Sequence, residues 1–192
     1  MPEKNQAALD FLLTRRSRPA KTLTTPVPDR DELMPILTAA ARTPDHGKLE
    51  PWRFIVLERG ALERLAAAAQ ARGEARGEAA ERIEKVYRQF ADAHLAVVVV
   101  SAPVISDKVP EIEQVYSAGA VCLALLNAAL ASGWGANWLS GWASHDPAFL
   151  AETLGIGSGE SVAGFIHIGT ETAPPPDRPR PDLDRITTWV SD

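Results

Sequence analysis

Three short segments carry the residues able to do chemistry. The first is Arg15-Arg16-Ser17-Arg18, with Lys21 close behind. Guanidinium forks beside a hydroxyl suit the oxygens of a phosphate. The same basic residues would also complement the C-terminal end of a helix dipole. The second runs from Arg42 to Trp52 and holds Thr43-Pro44-Asp45-His46-Gly47-Lys48-Leu49-Glu50-Pro51 between them. It is a polar loop bounded by prolines, and such loops often carry binding groups. It also reads as a surface turn with Trp52 packed on the core. The third, Gly133 to Trp142, holds three tryptophans and three glycines in ten residues. Glycine lets backbone approach a ligand closely, and tryptophan offers a flat apolar face to a ring system. A packed helix–strand junction would have the same composition.

Other chemistries are disfavoured. The chain has no GxGxxG fingerprint and no phosphate-binding P-loop. Its one cysteine, Cys122, excludes an internal disulfide and any multi-Cys zinc site, and it reads as a small buried hydrophobe. His46, His94, His145 and His167 are scattered, with no pair at i, i+4 to build a helical metal site. Lys+Arg is 20 and Asp+Glu is 25, for a net charge of −5, so general nucleic-acid binding is not expected. Met1 to Asn5 opens no apolar signal segment. The longest apolar run, Ala118 to Ala131, is broken by Asn127 and reads as too short to span a bilayer. No membrane partner and a cytoplasmic location are expected.

These segments need elements to position them. The 192 residues, 45% hydrophobic, suit one folded domain over 1–192, with 173–192 as an extended C-terminal arm. Leu9, Leu12 and Leu13 give a helical face before Arg15. Asp29 with Glu32 predicts a reciprocal N-terminal cap, followed by a helix that stops near Thr43-Pro44. Arg53 to Glu58 predicts a strand covered on both faces, and Leu95 to Ser101 another. Ala61 to Ala71 and Glu78 to Ala91 predict helices separated at Gly73 to Gly77. Glu111 to Ser132 predicts a central helix, apolar most of the way round. Ala136 to Leu139 and Val162 to Ile168 predict strands, with a helix over Pro147 to Leu154 capped by Asp146. The tail prolines hold an arm, and Ile186 to Val190 predicts a strand at its end, able to pair with another subunit. Alternating strands and helices imply an α/β sandwich.

Taken together, the motifs Arg15-Arg16-Ser17, Arg42-Thr43-Pro44-Asp45-His46, Glu50-Pro51-Trp52 and Trp138-Leu139-Ser140-Gly141 resemble the FMN-dependent nitroreductase family, in its subgroup of minimal NAD(P)H nitroreductases. The resemblance spans Phe11 to Val190. It implies a three-layer α-β-α sandwich (α+β) with a mostly antiparallel central sheet. It implies an interlocked homodimer with exchanged C-terminal arms and FMN at the subunit interface. It implies that Arg15, Arg16 and Ser17 hold the FMN phosphate and ribityl chain. Arg42 and His46 would reach the flavin held mainly by the other subunit. Trp138, Leu139 and Ser140 would form the loop beside the isoalloxazine, with backbone N–H groups near Ser140 and Gly141 facing N5. Arg178 or Arg180 would supply a late cation for the phosphate. The implied activity is ping-pong hydride transfer from NAD(P)H to an electron-poor small molecule such as a nitroaromatic or quinone. Other flavin chemistry on the same fold, with Arg72 to Ala80 as part of a lid, is the alternative, as is a non-catalytic FMN store or sensor. The chain departs from its relatives at Lys48, Glu50 and Leu139, where Leu139 takes the place of an arginine.

Overall fold

A computed structural model describes residues 3–192; Met1 and Pro2, part of the N-terminal reading, lie outside the described residues. The valine run explains the centre. In strand β3 (Leu95–Ser101) every residue is buried, because successive side chains enter opposite cores. Val98 and Val100 pack into one, Val97 and Val99 into the other. Beside β3 runs β5 (Ser161–Glu171), and outside them lie β1 (Leu23–Thr24), β2 (Trp52–Glu58) and β4 (Gly135–Leu139). The sheet order is β1-β5-β3-β2, with β4 also on β5, and every pairing is antiparallel.

One face is covered by α3 (Arg59–Ala75), α4 (Ala80–Ala91) and α6 (Pro147–Leu154), through Leu62, Leu65, Phe90 and Phe149. The other is covered by α2 (Arg30–Ala40) and α5 (Glu111–Ala131), through Leu33, Ile36, Val121 and Leu125. This is the expected three-layer sandwich. The Asp29–Glu32 reciprocal cap forms: Asp29 Oδ1 accepts from the Glu32 N–H at 2.9 Å, and Glu32 Oε2 accepts from the Asp29 N–H at 3.0 Å.

Several expectations need correction. Helix α2 ends at Ala40, short of Thr43-Pro44, because the Arg42 and Thr43 N–H groups turn back onto Ala39 and Ala40. Gly73 lies inside α3, where a Cβ would come within 2.8 Å of Ile83 Cγ1; the break falls at Gly77, with φ +68°. Strand β2 is a sheet edge and only partly covered: Ile55 and Leu57 pack into one core and Trp52 and Phe54 against the other, while Val56 is 39% exposed. Helix α5 has 21 residues, so length does not bar it from spanning a bilayer; what places it is packing, with eight residues including Cys122 buried against the sheet and α2. Ile186–Val190 is not a strand in the single chain. The tail makes one helical turn, α7 (Leu183–Ile186), and continues without a partner strand.

Candidate functional site

The first helix, α1 (Gln6–Thr14), ends where the arginines begin, and the chain then runs extended along β4. The Arg18 N–H donates to Ala136 O at 2.8 Å, and Asn137 Nδ2 donates to Arg18 O at 2.5 Å. These contacts clamp the Arg15–Arg18 segment to the strand that leads to Trp138. Arg18 pairs with Glu171 at 2.8 Å. Arg15 Nη2 donates to Ser17 Oγ at 3.1 Å. Arg15 Nε and Arg16 Nη1 are buried without a hydrogen-bond partner, the latter 3.7 Å from Asp177. Burial, then the nearby charges of Arg180, Arg16 and Arg18, lowers the Arg15 pKa from its ordinary value. Asp177 and Glu171 meet part of this charge, but Arg15 Nε and Arg16 Nη1 keep no hydrogen-bond partner; leaving such donors unmet is costly, and a phosphate meets several at once. Of the two tail candidates, Arg180 is the one that acts on Arg15.

Trp138 and Leu139 belong to β4, and Ser140 stands at its exit. Trp138 lies across Gly164, where a Cβ would meet the indole Nε1 at an impossible separation; that Nε1 donates to Ala163 O at 3.3 Å. Asn137 pairs with His167 and Leu139 with Phe165, so these four share the α4 side of the sheet, and Trp138 takes the α5 side. The Gly141 N–H donates to Ser144 Oγ at 3.2 Å, so it is engaged within the chain.

A groove of ≈ 460 Å³ lies beside these parts, lined by Leu139 and Ser140 but not by Arg15, Arg16, Ser17 or Trp138. Pro19, Ala20 and Lys21 form one wall, Asn137, Leu139 and Ser140 another, and α4 closes it with Lys85, Arg88 and Asp92 over a floor that includes His167. Lys85, Arg88 and His167 are missing from the residues picked out in the sequence. The cations of α4 stand three apart on one helical face, but only the sheet register shows that this face looks onto β4.

Arg42 and His46 lie elsewhere. His46 Nδ1 is 2.6 Å from Glu113 Oε2, and Ser117 Oγ donates to Pro44 O at 3.0 Å while accepting from Trp52 Nε1 at 3.2 Å. The 42–52 loop is thereby fastened to the start of α5. Inside it Lys48 and Glu50 hold left-handed backbone, with φ +54° and +48°, a conformation that non-glycine residues adopt at a cost. Trp52 sits opposite Ser101, itself opposite Ser161 at one end of β5, whereas Arg18 binds Glu171 at the other end. Ten residues of strand separate those ends by roughly 30 Å. One chain therefore does not bring Arg42 and His46 to Arg15–Ser17.

The Arg72–Ala80 segment is bolted down. Asp146, 1% exposed, accepts from Arg72 Nε at 3.1 Å and Arg76 Nη1 at 2.6 Å, and it caps α6 through the Phe149 N–H at 2.8 Å. Burial opposes ionisation of Asp146, but the Phe149 N–H and both guanidiniums outweigh it and hold the carboxyl below its ordinary pKa. Arg76 also lies 5.5 Å from the centre of the Trp142 ring. A separate apolar cleft of ≈ 680 Å³ lies between α2 and β2, lined by Val27, Leu33, Met34, Leu37 and Val56.

The chain is similar to known proteins over this whole architecture. A family model described as the nitroreductase family matches residues 12–170. The Escherichia coli (strain K12) protein named "Putative NAD(P)H nitroreductase YdjA" is 36% identical over 163 residues, covering 85% of this chain and 87% of that one. A solved nitroreductase-like family protein from Bacillus cereus superposes with a TM-score of 0.80 at 23% identity, covering 99% of this chain and 98% of the other. A structure from Desulfovibrio desulfuricans in complex with FMN gives 0.74 at 22% identity, covering 98% and 99%.

Proposed function

The chain belongs to the nitroreductase family, and from that premise we propose that it is an FMN-dependent oxidoreductase that passes hydride from NAD(P)H to an electron-poor acceptor such as a nitroaromatic or quinone. The observation that carries this reading is the crowd of guanidiniums in which Arg15 Nε and Arg16 Nη1 are buried without a hydrogen-bond partner, in the segment that leads to the Pro19–Lys21 wall of the groove.

FMN, when bound, supplies the redox chemistry, and the protein supplies binding, orientation and charge. Arg15, Arg16, Ser17 and Arg180 would hold its phosphate. Lys21 and Lys85 would bring positive charge to the ring system along the groove, where negative charge develops on reduction, and so favour the reduced form, whereas Arg88 is paired with Glu84 and Asp92. The two lysines replace the cation that Leu139 lacks. Leu139 and Ser140 would border the ring on its other side. NAD(P)H and the acceptor would use the same open face in turn, the ping-pong order.

The roughly 30 Å between the ends of β5 that carry the two motif groups supports a homodimer, in which Arg42 and His46 of a second copy complete the site. Three further features support the same assembly. Leu12 and Leu13 of α1 and Tyr116 and Leu123 of α5 are exposed. The 173–192 arm carries Leu183, Ile186, Trp189 and Val190 into solvent. The apolar cleft beside the open edge of β2 is the place for such an arm from a partner. Residues 1–192 then act as one domain with 173–192 as its exchanged arm.

The test is an absorption spectrum after addition of FMN and desalting, then anaerobic NADH and NADPH in turn. Retained flavin that bleaches is the expected outcome and names the donor. Retained flavin that neither nucleotide bleaches would leave a flavin carrier, and no retained flavin would overturn the reading.

A further inference from the structure

The contact between His46 Nδ1 and Glu113 Oε2, at 2.6 Å, joins two side chains that both reach solvent, the imidazole 60% and the carboxylate 45% exposed. Both ends of it are held. Glu113 stands in the first turn of α5, and Ser117 follows one helical turn later on the same face. Ser117 Oγ ties down the loop backbone at Pro44 and the Trp52 indole, while Glu113 takes the imidazole. On the loop side, the Leu49 N–H donates to Asp45 Oδ1 at 2.6 Å and closes the turn that begins at His46. The contact uses Nδ1 and leaves the second ring nitrogen, Nε2, outside it.

We propose that Glu113 is a positioning residue for His46: it keeps a proton on Nδ1 and so makes Nε2 of the neutral ring a hydrogen-bond acceptor. A carboxylate only accepts, so the proton between the two groups belongs to the imidazole. The hydrogen bond made at one ring nitrogen then sets the state of the other. A neutral imidazole without such a partner favours the opposite form, with its proton on Nε2. The use of this device rests on the reading above, in which His46 of a second copy completes the FMN site. An accepting Nε2 has to meet a donor there. FMN can donate from its ribityl hydroxyls and from the ring N3–H, whereas its phosphate dianion and ring carbonyls accept. Glu113 thus assigns His46 to the ribityl or N3 part of the cofactor and leaves the phosphate to Arg15, Arg16 and Arg180.

The test reads both ring nitrogens of His46 by long-range proton–nitrogen NMR on the full chain without cofactor, at alkaline pH so that the ring is neutral. The native chain is expected to carry the proton on Nδ1, and Glu113→Ala to move it to Nε2. A proton on Nε2 in the native chain, or no move in folded Glu113→Ala, overturns the assignment. FMN titration of the same chains by fluorescence quenching separates it from the flavin reading. Glu113→Ala is expected to bind FMN about 2- to 10-fold more weakly, the loss of one oriented hydrogen bond, and equal binding overturns the positioning role. With FMN bound, its phosphorus NMR shift is expected to be the same in His46→Ala as in the native chain. A changed shift puts the imidazole on the phosphate and overturns the choice of a donor. A proton that moves as expected in chains that bind no FMN supports the Glu113 pair and breaks the flavin reading instead.

Discussion

Arg15 Nε and Arg16 Nη1 are buried without a hydrogen-bond partner, and that imbalance sets their behaviour. Inorganic phosphate should raise the melting temperature of the cofactor-free protein by binding the native state alone, and should not do so in an Arg15→Ala/Arg16→Ala double variant. Each single variant should bind FMN about 10- to 150-fold more weakly, the loss of one charge-assisted contact, read by flavin fluorescence quenching. Two other side chains write themselves into the acid limb of stability. Burial lowers the His167 pKa from 6.5 to about 4, so the unfolded chain binds the extra proton, and stability falls as pH drops through that window. The bidentate Arg53 contact lowers Glu160 from 4.5 to about 2; its contribution is complete above the unfolded value and is lost as pH falls toward 2. Urea unfolding against pH should therefore show His167→Leu flattened between about 6.5 and 4, and Glu160→Gln between about 4.5 and 2.

At the scale of elements, the site depends on how strand β4 sits on β5. Gly164 has no side chain because the Trp138 indole occupies that space. Gly164→Ala should push the indole off the sheet, shift tryptophan emission to the red and lower the melting temperature by several degrees, the cost of overpacking in a small domain. Much of this level was legible in the sequence. The Asp29–Glu32 cap, the valine strand and the Asp146 cap are local signals, and each formed where its residues lie. The edge position of β2 was not legible, since a run such as Phe54-Ile55-Val56-Leu57 reads alike at the edge and the centre of a sheet. The tail strand failed for a related reason: a strand is a property of a pair, and Thr187–Val190 has no strand partner among the described residues. The groove residues Lys85, Arg88 and His167 were hidden for a third reason. They sit on α4 and β5, and only the Asn137–His167 register brings them under the β4 exit.

At the scale of the molecule, the two halves of the motif set lie at opposite ends of the sheet, and the homodimer proposed above is what would bring them together. Deleting residues 173–192 should convert a dimer to monomers in sedimentation equilibrium at micromolar concentration. FMN affinity should fall with it, because the Arg42 and His46 contribution and Arg180 go together. The aggregate charge of −5 makes local cations stand out, and the motif arginines were legible for that reason. Their number was not, because Arg180 joins them only through the path of the tail.

The open edge of β2 has a consequence for how this protein ages. Along the side away from β3, alternate residues present N–H and C=O groups with no partner strand among the described residues, and Phe54, Ile55 and Val56 are only partly covered. Such a row is a template for any extended chain that meets it, including the wrong stretch of another copy. Dilution or loss of the arm would then feed fibrous or amorphous precipitate rather than a reservoir of clean subunits. The tail, on this account, is a guard as much as a fastener, and truncated material should be lost to aggregation faster than intact chain at equal concentration.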